Sequence, residues 1–79
     1  MEITIEFRGM LRSLFGWKNE RVIEAPDNCT CEEALRMVGI EWGVTQQFGF
    51  AIVDGKKIEK DFVLKPGDRL KAFPKSFGG

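Results

Sequence analysis

Polar and apolar residues alternate strictly from Glu2 to Arg8, with Ile3, Ile5 and Phe7 on one face and Glu2, Thr4, Glu6 and Arg8 on the other. A period of two predicts a half-buried strand. Met10, Leu11, Leu14 and Phe15 follow at one-turn spacing and stop at Gly16, which predicts a short helical turn closing one end of the core. Strand character resumes over Glu20 to Ala25 around Val22 and Ile23, and Pro26-Asp27-Asn28 ends it. The first two strands therefore form a hairpin.

Thr30 followed three residues later by Glu33 is a capping box, and it starts a helix expected over Cys31 to Val38. Ala34, Leu35 and Val38 share its apolar face, Arg36 points away, and Gly39 suits the position just past its end. Ile40 to Phe48 has neither period and is expected to be a packed connection. Phe50 to Val53 is a short apolar run ended by the turn Asp54-Gly55, which feeds a second strand over Lys56 to Glu59. Lys65-Pro66-Gly67-Asp68 has the chemistry of a type II turn, with Gly67 at the position that needs positive φ. Arg69 to Phe73 alternates again and reads as the last strand. This order predicts an α+β domain, one mixed sheet of four to five strands wrapped around one main helix, for which a β-grasp roll is the economical solution. The domain is expected over residues 1–74, with residues 75–79 as a flexible tail.

The composition narrows the chemistry. With 79 residues there is room for one small domain. Twelve cations balance twelve anions, which argues against nucleic acid as a partner, and no histidine is present to serve as a general base or metal ligand. Cys29 and Cys31, one residue apart, are too few for a zinc site or an iron–sulfur cluster and too close for an unstrained disulfide, so free thiols and no metal are expected. No apolar run is long enough to span a membrane and the N-terminus lacks the regions of a signal peptide, so the expected location is cytoplasmic. Met10, Met37, Trp17 and Trp42 are expected to be packing residues.

The final strand runs almost directly into Pro74-Lys75-Ser76-Phe77-Gly78-Gly79. Glycine has no Cβ, so a Gly-Gly end suits a narrow channel that excludes any larger side chain. Val53-Asp54-Gly55-Lys56-Lys57, Leu64-Lys65-Pro66-Gly67-Asp68-Arg69-Leu70, Phe73-Pro74 and the closing Gly78-Gly79, in that order, resemble the ubiquitin-like sulfur-carrier family. Phe7-Arg8, Leu14, Gly16 and the place of Pro74 are similar to its molybdopterin synthase small-subunit branch, although Lys75 and Phe77 stand where that branch often has a second proline and a small residue.

The resemblance implies a β-grasp fold and a sulfur relay. In that relay the Gly79 carboxylate is adenylated by an ATP-dependent adenylyltransferase resembling ubiquitin-activating enzymes, and then becomes a thiocarboxylate. The chain itself would bind no cofactor and would not be an enzyme; ATP is used by the partner. The implied acceptor is an enzyme such as the large subunit of molybdopterin synthase. Thiazole, cysteine and tRNA-thiolation routes, and conjugation of Gly79 to lysines of other proteins, are alternatives.

Two surface features bear on partners. Residues 1–55 hold five cations and nine anions, net −4, whereas residues 56–79 hold seven and three, net +4. Lys65, Arg69, Lys71 and Lys75 in that basic half could steer an acidic surface. Phe48, Phe50, Phe62, Phe73 and Phe77 are too many aromatics for one face of a small core. Phe77, Phe73 and Phe62 are therefore candidate docking residues with Lys71 and Lys75, while Phe50 is expected in the core.

Overall fold

The computed structural model describes residues 1–75. The N-terminal alternation forms strand β1 (Glu2–Phe7), followed by a 3-10 helix (Gly9–Phe15) and strand β2 (Glu20–Glu24). Helix α1 (Cys31–Met37) precedes β3 (Phe50–Val53), β4 (Lys56–Ile58) and β5 (Arg69–Phe73). Each lies within a residue or two of the span its pattern predicts. The sheet order is β2-β1-β5-β3-β4, with β1 and β5 parallel and the other neighbours antiparallel. A parallel central pair cannot be joined by a tight turn, so everything between the two strands serves as the crossover. Residues 76–79, and with them the expectations on Phe77, Gly78 and Gly79, lie outside the described residues.

Helix α1 is short and depends on its ends. The Thr30 hydroxyl accepts from the Glu33 N–H at 3.2 Å and the Glu33 carboxylate accepts from the Thr30 N–H at 2.9 Å, the capping box anticipated from sequence. At the other end the Ile40 N–H reaches the Leu35 carbonyl at 2.9 Å and the Gly39 N–H that of Arg36 at 3.0 Å, with Gly39 at φ +91°. This is a Schellman closure, and Leu35 and Ile40 are both fully buried beside it.

The core is the inner face of the sheet against α1. Ile3, Ile5 and Phe7 of β1, Ala51 and Val53 of β3, and Leu70 and Ala72 of β5 meet Ala34, Leu35 and Val38 there, with Leu11, Ile40 and Phe48 closing its ends. Phe15 stacks on Phe7 with ring centroids 3.8 Å apart. Trp42 is half-buried and packs edge-on to Phe48 at 5.0 Å, so the connection is packed as expected.

Several packing expectations are corrected. Met10, Leu14, Trp17 and Met37 are exposed. A 3-10 helix has about three residues per turn, so it aims few side chains at one core; of this helix only Leu11 is buried. Trp17 sits in the left-handed region at φ +64°, with the Arg12 guanidinium 5.7 Å above its ring. Phe50 is half-buried on the outer face of the sheet rather than in the core, because strand parity gives the inner positions to Ala51 and Val53.

Candidate functional site

The end of β5 is where the sheet hands the chain outward. Pairing of Phe50 with Phe73 and of Ile52 with Lys71 puts these four on the outer face. The rings of Phe50 and Phe73 are parallel with centroids 4.9 Å apart, and the Lys57 ammonium lies 5.6 Å from the Phe50 ring. Beyond Phe73 the chain is gripped on both sides. The Arg8 N–H donates to the Ala72 carbonyl at 3.0 Å and the Gly49 N–H to that of Phe73 at 2.8 Å. Pro74 is buried and Lys75 is exposed.

One carboxylate organises the charge on this face. Glu6 is only 8 % exposed and accepts from Arg69 Nε at 2.7 Å and from Arg8 Nη2, while Arg69 Nη2 also donates to Glu20 at 2.9 Å. Burial pushes the Glu6 pKa up, but the hydrogen bond and charge of Arg69, with Arg8 and Lys71, overcome it and hold the group below the usual carboxylate value. Arg69 is thereby committed to structure. Among the described residues Lys71 and Lys75 make no ion pair, although the Lys71 charge adds to the field on Glu6.

Of the predicted docking residues, Lys71 and Phe73 share the outer face of β5, and Lys75 is exposed two residues beyond Phe73. Phe62 does not join them. It lies after β4, at 36 % exposure, in an open groove of about 510 Å³ whose lining includes Lys56, Lys57, Ile58 and Lys65. Lys57 is common to the groove and the aromatic pair.

Cys29 and Cys31 are free and buried. The Cys29 thiol donates to the Thr30 carbonyl at 3.4 Å. Burial, then the Glu33 charge, raises the Cys29 pKa; burial, Cys29 and Glu32 push that of Cys31 up to about 12. A protonated, buried thiol is a poor nucleophile, so neither has the character of a sulfur-transfer group. Among the described residues no cluster of His, Cys, Asp or Glu could hold a metal ion, and no helix is long and apolar enough to cross a membrane.

Two contributors are absent from the sequence reading. Glu6 occupies an outward position of an alternating strand, which reads as solvated; only the parallel register brings Arg69 to it. Gly49, ahead of the Phe50–Val53 run, carries no turn or capping signal.

No protein-family model matches the sequence, and neither does any curated protein. Solved structures do. SAMP1 from Haloferax volcanii superposes with a TM-score of 0.79 at 19 % identity, covering both chains in full. The chain has the ubiquitin-like β-grasp fold. A Pyrococcus furiosus protein assigned as molybdopterin converting factor subunit 1 shares this β-grasp with a TM-score of 0.76 at 20 % identity, covering 96 % of this chain and 99 % of that one. The complex of subunits 1 and 2 of molybdopterin-converting factor from Helicobacter pylori contains another β-grasp match, with a TM-score of 0.68 at 18 % identity and both chains covered in full.

Proposed function

We propose that this chain is a sulfur carrier for pterin cofactor synthesis, with the Gly79 carboxylate as its reactive group. The observation that carries the reading is the delivery geometry. The central strand β5 ends at Phe73, and Pro74 and Lys75 lead from its gripped end toward the Gly78-Gly79 sequence. The same fold in molybdopterin converting factor subunit 1, and in a complex of subunits 1 and 2, supports a large-subunit acceptor.

A carboxylate is a poor electrophile until one oxygen becomes part of a good leaving group. An adenylyltransferase would let the Gly79 carboxylate attack the α-phosphorus of ATP and expel pyrophosphate. A sulfide-equivalent nucleophile would then displace AMP, leaving the thiocarboxylate that the acceptor consumes. ATP is bound by the partner, and this chain contributes the tethered carbonyl, then the tethered sulfur. Phe73, Lys71 and Lys75 would supply the docking contact, with Phe62 extending it through Lys57, and Phe77 is assigned to the same contact from its place in the sequence alone.

The intact mass of the protein from its native host tests this reading. An oxygen-to-sulfur exchange, lost when Gly78 and Gly79 are deleted, is the expected result. Gly-Gly remnants on lysines of other proteins without any exchanged species would identify a protein modifier instead, and an unmodified chain whose truncation leaves the pathway intact would identify a noncovalent binding module.

A further inference from the structure

We infer that Gly49 is a positioning residue for the terminal reaction: it is the seat on which the root of the tail rests. The inference builds on the sulfur-carrier reading and assigns a role to a residue outside the tail and the docking face. Gly49 has no positive φ, so conformational freedom is not why a glycine stands there. Space is the reason. A Cβ at Gly49 would fall 2.6 Å from Lys75 Cα, 2.6 Å from the Pro74 carbonyl oxygen and 2.7 Å from Lys75 N. All three are backbone atoms, which cannot swing aside as the end of a side chain can.

The conflict has one outlet. Gly49 is tied to Phe73 through its N–H, and Phe50 pairs with Phe73 in the next register position, so β3 is locked to β5. Strand β5 is in turn held by β1 on its other side. Pro74 is backed by Gly9, where an added Cβ would meet Pro74 Cγ at 3.1 Å. A side chain at position 49 therefore pushes Pro74 and Lys75 away from the sheet and re-aims the residues that follow. Gly39, Gly43, Gly55 and Gly67 have nothing within 4 Å of an added Cβ, so the seat is particular to this pair of contacts. The tail has a fixed number of residues between its root and a partner's chamber, so moving the root shortens the reach of the Gly79 carbonyl, and a misplacement of about 1 Å at a reacting centre costs on the order of a hundredfold in rate.

The test uses the full chain with the adenylyltransferase purified from the native host, reading ATP–pyrophosphate exchange and the thiocarboxylated fraction by intact mass. Gly49→Ala should lower kcat by roughly 10–100-fold and change KM far less, because Phe73 and Lys71 stay in register on the sheet and only Lys75 of the docking contact shifts with the root. Gly39→Ala, strained at φ +91° but with nothing within 4 Å of the added Cβ, controls for lost stability and should keep kcat. Should Gly49→Ala fail to fold, Gly9→Ala, itself strained at φ +55° and therefore read against Gly39→Ala, probes the same root through Pro74 and should lower kcat in the same direction. Wild-type kcat in Gly49→Ala, or an equal loss in Gly39→Ala, overturns the assignment. If the wild-type chain supports no exchange and carries no sulfur, the carrier reading is what fails. The seat is then decided by amide resonances: Gly49→Ala must shift those of Phe73 and Lys75, and unchanged resonances refute it.

Discussion

Glu6 combines burial with charge, and its stability contribution should depend on pH. Its folded pKa is held below the ordinary value by Arg69 and Arg8. The stabilisation is therefore complete above the usual carboxylate range and is lost as pH falls through it. Glu6→Gln should cost about 1–2 kcal/mol at neutral pH. Thermal melts should show the gap between wild type and variant closing below about pH 4; a constant gap would mean that shape, not charge, matters at this position. The network was not legible because its members are distant in the chain, Arg69 reaching Glu6 across 63 positions. The thiols were legible as free, since their spacing forbids a relaxed disulfide, whereas their burial was not.

At the scale of elements, local signals carried the furthest. Alternation over residues 2–8, the Asp54-Gly55 turn with both φ angles positive, and the Lys65–Asp68 turn with Gly67 at φ +83° all appear where period and turn chemistry place them. The 3-10 helix shows where such reasoning stops, because one-turn spacing identifies a helical turn without saying which side of it meets the core. Helix α1 spans seven residues, too few to form without its caps and its packing. Thr30→Ala removes the hydroxyl that accepts from Glu33 and should destabilise the domain by about 1 kcal/mol. For a domain this small that is a fall of roughly 4–8 °C in Tm. Thr30→Ser, which keeps the acceptor, should recover most of it, and calorimetry of the two variants checks the assignment.

For the molecule as a whole, the basic surplus of residues 56–79 is smaller on the outer face of β5 than the sequence count suggests, since Arg69 is spent on Glu6 and Glu20. Steering then falls to Lys71 and Lys75. On the sulfur-carrier reading, reversing both, Lys71→Glu with Lys75→Glu, should slow association with the proposed adenylyltransferase by about tenfold at low salt, and stopped-flow traces should converge with wild type as ionic strength rises. A salt-independent defect would point to lost contact rather than lost steering. The β-grasp topology could be anticipated from the order of elements, but the crossing of Pro74 and Lys75 over Gly49 could not, because it depends on two distant segments meeting at backbone distance. The parallel pairing of β1 with β5 has a consequence for biosynthesis. The first strand to leave the ribosome waits for the last before the middle of the sheet can be laid down, so a nascent or truncated chain lacking β5 has no finished platform. On the sulfur-carrier reading, a partner that docks on the assembled sheet would therefore favour molecules that have already folded over full-length chains that have not.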